Sequence, residues 1–165
     1  MSSNDTTPDP ISQIESAARS VLADVGPSVV SIGRHSRGSG VVVAPDRVLT
    51  NAHNLRDRTT QVTFSDGRSV QSEVGAVDLH GDLVVLHVET ADAPVVEWSE
   101  RNADAGDIIF SVTRHGLSPR IAFGMVSSVD RTFRGPGSRP ITGAVEHTAP
   151  LARGASGGPL LDRDG

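Results

Sequence analysis

Ser156 lies in a run of small residues that suits a serine nucleophile, Gly154-Ala155-Ser156-Gly157-Gly158-Pro159-Leu160. A serine hydroxyl is a poor nucleophile, so it must lie on a turn that exposes Oγ and lets a base reach it. Glycines permit such a turn and bring backbone N–H groups close to the serine, where they can hold the oxyanion of an acyl-transfer intermediate. The alternative is a plain Gly-, Ser- and Pro-rich loop that leads into a strand.

A base and an acid that could serve Ser156 both precede it in the chain. His53 ends a predicted hairpin over residues 38–53, where the second strand gives way to a loop. Asp82 stands directly before the apolar run 83–88. No histidine follows Ser156 in the sequence, so the order is that of chymotrypsin-type enzymes rather than that of the α/β-hydrolase elbow. Taken singly, His53 could be a surface histidine and Asp82 a strand cap.

Together these stretches resemble the HtrA (Deg) family of trypsin-like serine proteases over residues 25–162. The matching segments, in family order, are VGPSVV at 25–30, GSGVVVAPDRVLTNAHNL at 38–55, GDLVVLHV at 81–88, the pair of segments 106–110 and 124–127, and the serine motif. The resemblance implies a catalytic triad of His53, Asp82 and Ser156. It also implies an oxyanion hole made by the backbone N–H groups of Gly154 and Ser156.

The activity that this resemblance implies is a serine endopeptidase that cleaves unfolded or misfolded proteins without a cofactor. Its partners would be protein or peptide substrates and, as in many relatives, further copies of the chain. A different class of function stays open, namely a catalytically silent or fragmentary protease-like module that keeps the cleft and binds peptides or partners. Arg131 has the spacing of the arginine in the family's regulatory sensor loop, and a solvated loop arginine is the alternative.

Two positions depart from the family pattern. Ala155 replaces the Asn or Asp that usually precedes the serine, so activation by a new N-terminus is not expected. Pro150 stands six residues before Ser156, where trypsins carry the aspartate that selects basic side chains. A preference for basic substrate residues is therefore unsupported, and small or branched apolar side chains are the expected choice.

The predicted fold class is all-β, a chymotrypsin-like double β-barrel with a short N-terminal helix and an incomplete second barrel. The predicted domains are a tail and helix over 1–25, a first barrel over 26–100 and a second barrel over 101–165. Apolar residues at helical spacing from Ile14 to Val25 predict the helix, after a disordered tail over 1–10. The resemblance implies that further strands of the second barrel, and a PDZ domain, are missing from these 165 residues.

Short strand-like segments joined by Gly, Pro and Asp turns predict ten strands. Six are expected near 29–33, 40–44, 47–50, 60–64, 69–76 and 83–88, and four near 107–112, 120–129, 141–147 and 159–162. Closing the first six into a barrel would place His53 and Asp82 at one cleft.

Composition narrows the remaining classes of function. The chain has no cysteine, which removes disulfides, metal thiolates and a thiol nucleophile, and its histidines show no metal-ligand spacing. The net charge is −5 with scattered arginines, so nucleic-acid binding is not expected. No run approaches the length of a transmembrane helix, and the first residues do not resemble a signal peptide. The chain as written is predicted to be cytoplasmic, or exported if a leader was removed.

Overall fold

The computed structural model describes residues 9–55, 59–138 and 140–165. One helix, α1 (Pro10–Val25), is followed by ten strands: β1 (Val29–Ile32), β2 (Gly38–Ala44), β3 (Arg47–Asn51), β4 (Thr59–Thr63), β5 (Ser69–Asp78), β6 (Leu83–His87), β7 (Ile108–His115), β8 (Ser118–Arg134), β9 (Pro140–His147) and β10 (Leu160–Leu161). Short 3-10 helices lie at Gly26–Ser28, Ala52–Asn54 and Pro136–Ser138.

Helix α1 begins where the sequence supplies a cap. The Asp9 carboxylate accepts hydrogen bonds from the backbone N–H groups of Ile11 and Ser12 at 3.0 and 3.2 Å, and Pro10 occupies the first helical position. The prediction of a disordered tail over residues 1–10 is therefore wrong for Asp9 and Pro10, and residues 1–8 lie outside the described part of the chain. The apolar face of the helix packs on strands of the second sheet through Val21 and Val25.

The first six strands close into a barrel in the order β1-β2-β3-β6-β5-β4. Strand β1 pairs with both β2 and β4, which completes the ring and leaves no free edge. Register shifts between Val42 and Ala44 and between Val74 and Val77 mark irregularities of the kind that bend strands around a barrel. Aliphatic residues and one phenylalanine fill the interior: Val30, Ile32, Val42, Val48, Val62, Phe64, Val84, Leu86 and Val88.

The last four strands form an open sheet in the order β10-β7-β8-β9. The sheet curls into half of a second barrel, and the outer edges of β9 and β10 carry no partner strand among the described residues. The prediction of an all-β double barrel with an incomplete second barrel is confirmed.

Arg114, in β7, joins the two halves of the molecule. Its guanidinium is almost fully buried and donates to the carbonyls of Val29 at 2.5 Å, Gly26 at 2.6 Å and Leu117 at 2.9 Å. Burial lowers the pKa of this guanidinium. These three bonds tie the end of the helix, the start of the first barrel and the β7–β8 turn to one side chain, so the two sheets are held at a defined spacing.

Candidate active site

His53 lies where β3 leaves the barrel. Strand β3 ends at Asn51, and the 3-10 helix Ala52–Asn54 then carries the imidazole outward, with 41% of its side-chain surface exposed. A strand of the closed barrel thus fixes the backbone on one side of the histidine, while the ring itself faces solvent. Such loop positions on a rigid scaffold are typical of functional side chains.

Asp82 is held against this turn by both its backbone and its side chain. Its backbone adopts a left-handed conformation with φ of 56°, which aspartate tolerates better than most residues. The Asp82 carbonyl accepts hydrogen bonds from the Ala52 N–H at 2.9 Å and from Asn51 Nδ2 at 3.0 Å. The Asp82 side chain is only 12% exposed, so it has little freedom to turn away.

The Asp82 carboxylate engages His53 with both of its oxygens. Oδ1 accepts the His53 backbone N–H at 3.0 Å, and Oδ2 lies 2.5 Å from His53 Nδ1. A carboxylate only accepts hydrogen bonds, so the proton of this pair is on Nδ1. With the proton on Nδ1, a neutral ring carries its lone pair on Nε2, and this is the form that can accept a proton.

Ser156 lies on the loop between β9 and β10, and its side chain is exposed. Tight turns shape this loop, since the Ala155 N–H donates to the Ala152 carbonyl at 3.1 Å and the Gly158 N–H to the Ala155 carbonyl at 2.9 Å. Ala155, which precedes the serine, is buried. The loop therefore turns its small apolar residue inward and the serine outward.

Contacts with the first barrel fix the serine loop. The Ser156 carbonyl accepts the Ser39 N–H at 2.8 Å and Asn54 Nδ2 at 2.9 Å. Ser39 Oγ donates to the Gly154 carbonyl at 2.8 Å. At Gly157, where φ is 88°, a Cβ would collide with the Ser39 carbonyl and with Thr50 Oγ1, so only glycine allows this close approach.

The two backbone donors predicted to form an oxyanion hole are unengaged within the described residues. Neither the Gly154 N–H nor the Ser156 N–H donates to a protein acceptor there. No hydrogen bond joins Ser156 Oγ to His53 in the same part of the chain. The loop thus leaves free donors beside the serine, which an incoming carbonyl oxygen could use.

Four polar residues of the site were not singled out by sequence reasoning, although they lie in the quoted motifs: Ser39, Thr50, Asn51 and Asn54. Ser39, Thr50 and Asn54 are buried, and Asn51 is half-buried. For Ser39, Thr50 and Asn51 the available signal was a polar residue within a predicted strand, because a buried polar group must find a hydrogen-bond partner; Asn54 follows the strand and carried no such signal.

Arg131 lies within strand β8 rather than in a loop. Strand β8 runs to Arg134, five residues beyond the predicted end, and Arg131 pairs with Ala144 of β9. Its guanidinium lies 3.6 Å from the Glu146 carboxylate, with both side chains well exposed. The expected loop placement is therefore wrong, while the regulatory role stays a prediction.

Two cavities flank the serine loop. One, of about 390 Å³, lies between the barrel and β10 and is lined by Leu49, Leu83, Trp98 and Leu160 among others. The other, of about 520 Å³, includes Pro150 in its wall, together with residues of β7 and β8 and one basic side chain but no acidic one. Across residues 9–55, 59–138 and 140–165, no cluster of side chains is suited to hold a metal ion, and no helix is long and apolar enough to cross a membrane.

Comparison with known proteins shows the family. The trypsin-like peptidase domain matches residues 38–165, so the chain belongs to the trypsin-like peptidases. It is 33% identical over 164 residues to the mitochondrial serine protease HTRA2 of Bos taurus, which covers 88% of this chain and 36% of that protein. It is 31% identical over 133 residues to the putative serine protease HhoB of Synechocystis, which covers 78% of this chain and 32% of that protein.

Solved structures agree with this relationship. Deg5 superimposes with a TM-score of 0.78 at 26% identity, covering 92% of this chain and 81% of that one. The inactive form of the Rv3671c protease gives a TM-score of 0.75 at 27% identity, covering 96% of this chain and 81% of that one. These matches confirm the resemblance to the HtrA (Deg) group of serine proteases. The chain spans about a third of the length of the curated relatives named above.

Proposed function

We propose that this chain is the peptidase domain of a serine endopeptidase in which His53, Asp82 and Ser156 form the catalytic triad. The observation that carries the proposal is the contact of both Asp82 carboxylate oxygens with one histidine, at the backbone N–H and at Nδ1. An aspartate that only capped the backbone of this turn would need the contact with the His53 N–H alone. The second contact sets the tautomer of a ring that is partly exposed, with 41% of its side-chain surface accessible.

In the proposed reaction, Ser156 Oγ attacks the carbonyl carbon of the scissile peptide while His53 Nε2 takes the hydroxyl proton. The carbonyl oxygen becomes an oxyanion, which accepts hydrogen bonds from the backbone N–H groups of Gly154 and Ser156. His53 then gives its proton to the leaving amine as the carbon–nitrogen bond breaks. Water attacks the acyl-serine by the same route, which releases the acid and restores the hydroxyl.

Asp82 stabilises the doubly protonated imidazole that forms in each step. Its carboxylate already lies 2.5 Å from Nδ1 and is mostly shielded from solvent. Because the partial burial weakens screening by water, the ion pair formed during the reaction is worth more here than at an exposed site. No cofactor is needed for this chemistry.

The proposed substrates are unfolded or misfolded protein chains. The names of the relatives as serine proteases support a peptide substrate, and the HtrA resemblance supports unfolded proteins. The cavity that contains Pro150 has no acidic residue in its wall, which agrees with the expectation that basic side chains are not selected.

A second candidate function is a catalytically silent module that binds peptides in the same cleft. The observation that favours it is the lack of a hydrogen bond between Ser156 Oγ and His53 among the described residues. A peptide could then pair with the cleft without being cleaved. The two candidates differ in whether Ser156 reacts covalently.

Labelling with a fluorophosphonate tests the proposal in the native full-length protein. We expect the probe to modify Ser156 and to fail on Ser156→Ala. Ser118→Ala is the matched control, since Ser118 is an exposed serine at the start of β8 and should leave labelling unchanged. A folded protein that is not labelled, or is labelled at another residue, would favour the silent module.

A further inference from the structure

Asn54 follows His53 in the same 3-10 helix, yet its side chain points into the protein and is only 3% exposed. Its Nδ2 group donates to the Ser156 carbonyl at 2.9 Å and to Thr50 Oγ1 at 3.0 Å. The residue next to the proposed base therefore contacts the backbone of the proposed nucleophile directly, across 102 positions of sequence.

The partners of Asn54 determine which end of its amide faces them. The Ser156 carbonyl oxygen can only accept a hydrogen bond. The Thr50 hydroxyl already donates its proton to the Ser39 carbonyl at 2.6 Å, so Thr50 Oγ1 can only accept from Asn54. Both partners of the Asn54 amide therefore require a donor. The Ser39 N–H in turn donates to the Ser156 carbonyl at 2.8 Å. These four bonds close a ring through Asn54, Thr50, Ser39 and Ser156.

Packing leaves the Asn54 amide little room to leave this position. A Cβ placed on Gly38 would collide with the Asn54 amide group, so the side chain lies directly on the bare backbone of β2. A side chain that is buried, held by two hydrogen bonds and packed on a strand of a closed barrel is well ordered.

We infer that Asn54 is a positioning residue that sets the separation between His53 and Ser156. The inference rests on the proposed function, since it assigns a role within the same triad. The hydrogen bond from Asn54 Nδ2 to the Ser156 carbonyl, called the tie below, holds this carbonyl at a set distance from the turn that carries the imidazole. It thereby also fixes the peptide plane next to the Ser156 Cα. Asn51 makes the corresponding tie from the other side of this turn, to the Asp82 carbonyl at 3.0 Å.

Asn54→Leu removes both donors while keeping a side chain of similar size. The Ser156 carbonyl retains the Ser39 N–H, and Thr50 Oγ1 retains the Ser39 carbonyl, so neither group is left without a partner. The fold should therefore survive. Asn54→Ala serves as a second variant because it removes the same donors without any risk of overpacking against Gly38.

Ser72→Ala is the matched control for both variants. Ser72 is also fully buried in the first barrel and donates to the Thr60 carbonyl at 2.8 Å, but it lies on β5 and does not contact the serine loop. The Ser72→Ala variant loses a comparable buried hydrogen bond but keeps the hydrogen bond from Asn54 to the Ser156 carbonyl.

The experiment measures steady-state hydrolysis of casein by the native full-length protein, together with amide hydrogen exchange over residues 154–158. Misplacing reacting groups by about 1 Å can cost about 10²-fold in rate, so we expect kcat to fall about 10- to 100-fold in both Asn54 variants. We expect KM to stay within about twofold, because the tie does not face the substrate. Exchange over 154–158 should rise about fivefold, the effect of losing one ordinary hydrogen bond.

The outcomes separate this inference from the proposed function. If the wild type shows no Ser156-dependent hydrolysis, the proposed function fails, and hydrogen exchange alone decides whether the tie exists. Unchanged exchange over 154–158 in both Asn54 variants overturns the inference. An active wild type with unchanged kcat in both variants, or an equal fall of kcat in Ser72→Ala, also overturns it.

Discussion

Replacing Asp82 with asparagine isolates the proton position on His53 with little change in shape. The backbone contacts of Asp82 involve its carbonyl oxygen, which accepts from Ala52 and Asn51, and the substitution leaves them in place. Asparagine also tolerates the left-handed backbone at φ 56°. The fold of the variant should therefore remain intact.

The His53 backbone N–H decides which way the new amide turns. In the wild type this N–H donates to Asp82 Oδ1 at 3.0 Å. The amide oxygen of the variant must take the place of Oδ1, because the amide NH₂ group there would be a second donor opposite the His53 N–H. The amide nitrogen then faces His53 Nδ1. An NH₂ group only donates, so Nδ1 must give up its proton and the ring must carry it on Nε2. That tautomer cannot accept the Ser156 proton.

The magnitude follows from this loss of the base. The same change of tautomer in a Ser-His-Asp triad lowers turnover by about 10⁴-fold. This corresponds to about 5.4 kcal/mol of transition-state stabilisation, at about 1.36 kcal/mol per factor of ten. We expect the loss to be in kcat, because the amide does not face the substrate.

The assay compares casein hydrolysis by the wild type, Asp82→Asn and Asp78→Asn at neutral pH, with circular dichroism to verify folding. Asp78 is the matched control, since it lies four residues earlier on the same hairpin and accepts the His80 N–H at 2.9 Å without contacting His53. A folded Asp82→Asn protein with nearly full activity would refute the reasoning. A 10⁴-fold loss in Asp78→Asn instead would show that the wrong acid had been assigned.

Two further predictions concern stability. Gly157→Ala should destabilise the protein by at least about 2 kcal/mol in urea unfolding, because its Cβ would meet Ser39 and Thr50 in addition to the positive φ. Gly143→Ala, with φ of 70° and open space around it, should cost only the conformational strain of about 1–2 kcal/mol, and equal losses at the two sites would contradict the packing argument. Hydrogen bonds from the backbone N–H groups of Gly81 and, to a smaller extent, His80 lower the pKa of the Asp78 carboxyl in the folded state. The ionised carboxylate therefore stabilises the folded state at any pH above the pKa that Asp78 has in the unfolded chain. This stabilisation disappears as the pH falls through the pKa of Asp78 in the folded state. Asp78→Asn should therefore have a lower urea midpoint than the wild type at pH 7, and the difference should shrink below about pH 4; a constant difference would rule out the carboxylate as its source.

Local patterns in the sequence predicted the strands, and the resemblance of its motifs to the HtrA (Deg) family supplied the residues of the proposed triad. Each of the six barrel strands was predicted from a short segment between turn residues, and the structure contains all six in the expected order along the chain. The order of His53, Asp82 and Ser156 predicted their grouping, and the structure brings the first two into contact. Their joint catalytic role stays a proposal.

Element ends that depend on pairing were predicted less well. Strand β8 continues to Arg134 because β9 pairs along its far end, from Val126 opposite His147 to Arg134 opposite Pro140. The polar residues after 129 carry no apolar alternation that would have predicted a strand. Arg131 was therefore expected in a loop, and its place on β8 follows from a long-range partner rather than from local propensity.

The sequence by itself determined the fold class, since strand patterns and turn residues act over a few neighbouring positions. It also determined the order of the candidate catalytic residues His53, Asp82 and Ser156. The tertiary structure decided how Asn54, Thr50 and Ser39 join the histidine turn to the serine loop. The two bonds that reach the Ser156 carbonyl, from Asn54 Nδ2 and from the Ser39 N–H, span 102 and 117 positions of sequence and exist only after the second sheet has packed on the barrel. A hydrogen bond of this kind depends on distances of about 3 Å, which the spacing of residues along the chain does not encode.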